Sequence, residues 1–127
     1  MKEILAVIRM EMINKTKEAL INEGFSSLTC RKVLGRGKKK VDFAMIEDLI
    51  TEGDITSPKI AESMSEIHRL IPKRMLSIVV DDKDVQKIVE TIISVNSKGK
   101  PGDGKIFVVP VLDVVRIRTG ETGEIAI

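Results

Sequence analysis

A chain of 127 residues has room for one domain with a real core and hardly for two. Its 43% apolar and 31% charged residues are ordinary for a globular protein. Three phenylalanines are the only aromatics, so the core is aliphatic and base stacking on aromatic side chains is nearly excluded. The net charge of +2 is too small for a general nucleic-acid or membrane binder, so any anion recognition is local. One cysteine and one histidine leave no intramolecular disulfide, no Cys-based metal site and no Ser-His-Asp or Cys-His nucleophile set, which disfavours an enzyme. The apolar run at the start, "MKEILAVIRMEM", is too short for a secretory signal and no run approaches membrane length, so a cytoplasmic protein is expected.

Residues 3–9, "EILAVIR", are apolar on both faces and predict a central strand buried on both sides, with Arg9 at its exit. Asn14 is placed to cap a helix through about Glu23, with Thr16, Ala19 and Leu20 inward and Gly24 in the left-handed position after its end. Residues 26–34 predict a half-exposed strand, on which Cys30 is expected as a small buried hydrophobe. A polar, weakly periodic stretch then runs from "GRGKKK" (35–40) to Pro72, an unusually long connection that reads as a functional excursion.

Residues 74–80 predict another strand. Asp82 is expected to cap the clearest helix, in which Val85, Ile88, Val89, Ile92 and Ile93 follow the i, i+3, i+4, i+7, i+8 rule. Residues 105–112 predict a strand at an edge or bulge because of Pro110, and "DVVRIR" (113–118) predicts a short final strand. The order is β-α-β-(long loop)-β-α-β, the α+β ferredoxin-like sandwich. Its helices cover one face of the sheet, and the second apolar face calls for another subunit.

Three cationic elements, "GRGKKK", "GKPGDGK" and "RIR", stand at strand ends or on a strand face. Glycine lets backbone amides approach an anion, and lysine and arginine neutralise its charge. "KGKPGDGKIFVVPV" (98–111) could be a plain turn, a solubilising loop or a phosphate cradle; it lacks the spacing of a Walker A loop and opens a strand rather than a helix. His68 has no His or Cys partner and is expected on an exposed loop. Asp81, Asp82 and Asp84 read as helix-start acids rather than a metal cluster.

"GKPGDGKIFVVPVLDVVRIRTGE", "KEILAVIR", "LTCRKVLGRGK" and "IPKRMLSIVV" together closely resemble the PII (GlnB-like) nitrogen-regulatory signal proteins. The likeness spans almost all of the chain outside residues 40–70. It implies one PII-type domain over 1–127, with a long T-loop at about 37–72, a second nucleotide loop at about 97–105 and a C-terminal segment at about 113–127. It further implies trimers that bind ATP or ADP in the clefts between subunits. Matched residue by residue, Gly35, Gly37 and Lys38 touch the nucleotide, with Val7, Thr29 and Val79 nearby. Gly102, Asp103, Gly104 and Lys105 cradle the phosphates, and Arg116 and Arg118 reach in from the neighbouring subunit. 2-Oxoglutarate would meet Lys73, with Arg9 and Lys39 placed to pair with a carboxylate.

Some positions depart from the family pattern. Lys98 stands for its threonine, and Met10-Glu11 for the Pro-Phe that usually follows the first strand. Lys39 stands for the glutamine that helps hold magnesium, which a charged lysine cannot ligate, so the resemblance leaves magnesium with ATP open, held by another residue of the long loop. The chain has no tyrosine, which excludes tyrosine uridylylation. The long, altered loop resembles the second, longer-looped member of the nitrogen-fixation branch. That resemblance implies a paralogous PII-type partner and inhibition of the nitrogenase MoFe component by contact, relieved by 2-oxoglutarate and ATP. The competing readings are a sensor acting on an ammonium transporter or metabolic enzyme, a weak ATPase, and a structural trimer with incidental anion binding.

Overall fold

In a computed structural model the chain is described for residues 1–37 and 70–127. It divides into two compact units, Met1–Val33 with Pro72–Ile127, and Leu34–Ile71. In chain order the elements are β1 (Lys2–Arg9), α1 (Ile13–Asn22), β2 (Thr29–Gly35), β3 (Ile71–Val80), α2 (Val85–Asn96) and β4 (Lys105–Pro110). Short 3-10 turns at Met10–Met12 and Asp82–Asp84 lead into the two helices, and a third occupies Gly123–Ala126. The strand order is β2-β3-β1-β4, with β1 antiparallel to both neighbours. This is the ferredoxin-like α+β arrangement. Pro110 closes the edge strand β4, where a missing amide costs no ladder bond.

Period-two alternation sends Ile4, Ala6, Ile8, Leu76, Ile78 and Val80 to one face, where Leu20 of α1 and Ile88 and Ile92 of α2 pack on them. Each of these side chains larger than alanine contributes roughly 1.5–3 kcal/mol on burial. Gly24, at φ +94°, ends α1 in a Schellman motif. Its amide donates to Ile21 O at 2.9 Å, and the Phe25 amide donates to Leu20 O at 2.9 Å. A buried polar bridge joins the helices. Asn96 Nδ2 donates to Thr16 Oγ1 at 3.0 Å and to Ile92 O at 2.9 Å, while Thr16 Oγ1 donates to Met12 O at 2.7 Å.

The opposite face carries Leu5, Val7, Met75, Val79, Phe107 and Val109, as the register requires. Among the described residues no helix covers it, and Phe107 is 51% exposed.

Four local expectations are corrected. Cys30 is exposed on β2, because no described helix covers that strand's outer residues. Asn14 lies inside α1 rather than capping it; the 3-10 turn already feeds the helix, and Met12 is the cap. Asp82 starts a 3-10 turn instead of capping α2, and its carboxylate is held at 3.0 Å by both the Met1 amine and Lys2 Nζ. "DVVRIR" forms no strand: it makes a single bridge, Val115 with Thr122, and Ile117 is fully exposed. No helix among the described residues is long and apolar enough to cross a membrane.

Candidate functional site

Register dictates the first cluster. Val7 pairs with Lys105 and Arg9 with Lys73, so the end of β1, the start of β3 and the start of β4 meet. The chain enters β4 so tightly that a Cβ on Gly104 would lie 1.9 Å from Val7 O, and φ there is +113°. Only glycine fits. Gly102, at φ +101°, faces Arg9, whose Nη2 a Cβ would meet at 3.4 Å.

Asp103 sits between these glycines and organises the loop. Its Oδ2 accepts the amides of Lys98 at 2.9 Å, Gly99 at 3.0 Å and Lys100 at 3.4 Å. Its Oδ1 accepts from Arg9 Nη1 at 2.6 Å, and Lys73 Nζ donates to Gly102 O at 2.9 Å. The Arg9 guanidinium first, and the Lys98 amide next, hold the Asp103 carboxyl down at about 2. Three loop amides therefore already serve an internal anion. Cationic side chains surround that arrangement: Lys98, Lys100 and Lys105 are exposed.

A second cluster lies at the other end of the sheet. Thr29 and Val79 border a pocket of about 210 Å³ together with Ser77, Val114, Ala126 and Ile127. Next to it Arg116 donates from Nη2 to Ile125 O at 2.8 Å and from Nη1 to Glu121 Oε1 at 3.1 Å. Arg118 is exposed and has no partner among the described residues. Lys73 and Val79 are six residues apart on β3, about 20 Å of strand.

The structure thus brings Val7, Arg9, Lys73, Gly102, Asp103, Gly104 and Lys105 together, and separately Thr29 and Val79 with Arg116 near their pocket. Gly35 ends β2, and Gly35 and Gly37 belong to the second unit. Lys38, Lys39 and His68 lie outside the described residues. Sequence reasoning missed Ser77, Ala126 and Ile127, which carry no motif of their own. The use of the amides of Lys98–Lys100 had a signal, an aspartate among loop glycines able to form an Asx-type turn. A larger apolar cavity, about 420 Å³, lies on the helical side between α2 and the strands, with Asp103–Lys105 among its bordering residues.

Comparison with known proteins shows the family. The family model "Nitrogen regulatory protein P-II" matches residues 1–121. The chain is 49% identical over 127 residues to "Nitrogen fixation nifHD region GlnB-like protein 2" of Methanobacterium ivanovii, covering 100% of this chain and 99% of the relative. It is 48% identical over 123 residues to the protein of that name from Methanothermobacter marburgensis, with 97% of each covered. A third relative, "Nitrogen regulatory protein P-II 2" of Methanothermobacter thermautotrophicus, is 39% identical over 134 residues, covering 100% of this chain and 97% of the relative. With a family model over nearly its whole length and full-length relatives at such identity, the chain belongs to the PII nitrogen regulatory protein family.

Proposed function

We propose that the protein is a non-enzymatic nitrogen signal protein that binds ATP or ADP between copies of itself or a PII paralogue. The observation that carries this reading is the split of the candidate residues into two half-sites at opposite ends of one sheet. The loop end of one copy supplies Gly102, Gly104 and Lys105; the far end of the next supplies Thr29, Val79 and the two arginines. The uncovered apolar sheet face supplies the reason for copies to associate, in the trimers usual for the family. Asp103 enters this site as the group that shapes the loop.

2-Oxoglutarate is the effector in this reading, with Lys73 its main carboxylate partner. Arg9 is held by Asp103 and Lys39 completes the set from the long loop. Magnesium by the usual route does not fit. Lys39 replaces a neutral ligand, and both oxygens of the one carboxylate in the phosphate loop are already taken by Arg9 and three amides. The names of the relatives support nitrogen fixation as the setting, and the target we propose is the nitrogenase MoFe component, inhibited by contact when nitrogen is sufficient. The relative called simply a nitrogen regulatory protein favours, more weakly, a transporter or metabolic enzyme as target.

The test is calorimetric titration of 2-oxoglutarate with Mg-ATP, with ADP and with neither, followed by a nitrogenase assay with the protein and its paralogue. Binding that needs ATP, and inhibition that 2-oxoglutarate relieves, is the expected result. Absence of any nucleotide binding overturns the reading; nucleotide binding without nitrogenase inhibition moves the target elsewhere.

A further inference from the structure

The apolar cavity on the helical side has one unsatisfied polar group in its wall. It measures about 420 Å³ and is bordered by Ile8 of β1, by Val89, Ile92, Ile93 and Asn96 of α2, and by Ile106 of β4. Ile106 pairs with Ala6, so period-two alternation puts it with Ile8 on the face that the helices cover. Arg9 pairs with Lys73 and Val7 with Lys105, so these four project from the other face. The cavity and the loop-end candidates for nucleotide therefore lie on opposite faces of the sheet, with the chain entering β4 between them.

Asn96 is 5% exposed. Its Nδ2 donates to Thr16 Oγ1 at 3.0 Å and to Ile92 O at 2.9 Å. The Thr16 hydroxyl donates its own proton to Met12 O, so towards Asn96 it only accepts. These two acceptors fix the orientation of the amide, because a flip would turn its oxygen on the Ile92 carbonyl. Asn96 Oδ1 is then buried with no donor. Buried acceptors are normally satisfied, and one left over calls for a partner from outside the chain. With Nδ2 turned into the seam between the helices, Oδ1 is the polar atom that Asn96 leaves for the cavity. Charge plays no part there. The Asp103 carboxylate is taken by Arg9 and three amides, and Lys105 belongs to the other face. Ile93, 51% exposed, stands at the solvent side.

We propose that this cavity is a second ligand site, separate from the nucleotide candidates. It takes an uncharged, mainly apolar molecule with one hydrogen-bond donor, a hydroxyl or an amide N–H, which meets Asn96 Oδ1. Its volume lies within the usual range for small-molecule sites. The site stands whether or not the open face binds nucleotide.

The experiment titrates the full chain with cyclohexanol and with cyclohexanone, followed by the NMR shifts of the Asn96 side-chain amide and of the Ile93 and Ile106 backbone amides. The two probes share a ring, but only the alcohol donates a hydrogen bond. Cyclohexanol is expected to move these signals saturably and to bind at least about fivefold tighter than cyclohexanone. Asn96→Leu is expected to remove that preference. Ile93→Trp, at a half-exposed position, fills the solvent side of the cavity and is expected to abolish saturable binding of both probes even if Asn96→Leu does not fold. No saturable shift in the unaltered protein overturns the site, as does undiminished binding by Ile93→Trp. Equal affinity for the two probes also overturns it, since Oδ1 then reads no donor on the ligand.

Discussion

Asp103 is a carboxylate enclosed by its own loop, and it sets two expectations. Its folded pKa lies at about 2, below the ordinary 3.8, so its ionised form is the one the fold favours. The associated stabilisation is complete above about pH 4 and is lost as pH falls through about 2. Amide shifts of Lys98 and Gly99, followed by NMR from pH 6 downward, should stay constant to about pH 4 and then move with a midpoint about 2; a midpoint near 4 would contradict the Arg9 pairing. Asp103→Asn keeps an acceptor for the amides but removes the ion pair. It should weaken ADP about three- to tenfold by calorimetry, and Asp103→Ala more. At Gly104 the argument is steric. A Cβ would overlap Val7 O in a backbone conformation that side chains rarely adopt, so Gly104→Ala should cost more than about 2 kcal/mol in urea unfolding.

Among the elements, the two helices are joined by more than apolar contact. Thr16 and Asn96 are both buried and hydrogen-bonded to each other across 80 residues of sequence. Thr16→Val preserves shape but deprives Asn96 Nδ2 of one acceptor where water cannot replace it. The expected loss is about 1–3 kcal/mol by chemical denaturation. The regular elements were legible in the sequence because their signals are local: the apolar spacing of Val85–Ile92, and Gly24 at a helix end. The ends of the elements were less so. Asn14 and Asp82 are good capping residue types, but each lies beside a 3-10 turn, and the N-terminal amine and Lys2 compete for Asp82. The alternation in "DVVRIR" was real, but among the described residues it pairs only through the single bridge of Val115 with Thr122.

For the whole molecule, the open face carries Phe107 and Val109 beside Leu5 and Val7. Phe107→Asp places a charge there and should yield a smaller species in analytical ultracentrifugation than the unaltered protein. The proposed half-sites make a sharper prediction. A variant defective at the loop end, Lys105→Met, and one defective at the other, Arg118→Met, should each bind ADP weakly. Refolded together at equal amounts they should recover tight binding at about one site in four, since an intact site needs one good half from each neighbour. No recovery would mean that one chain holds the whole site.

The sequence by itself determined the α+β fold, the second apolar face and the tight glycine loop that leads into β4, because periodicity, glycine at forced turns and a long motif are all properties of neighbouring residues. It also placed Arg9 correctly at a strand exit without identifying its partner, 94 residues away. Only the tertiary structure decided that Asp103 is that partner and that Thr29 and Val79 stand apart from the loop. It also decided that Ala126 and Ile127 border a pocket. These depend on strand order and register, which bring distant segments together and separate near ones through contacts that no local pattern encodes.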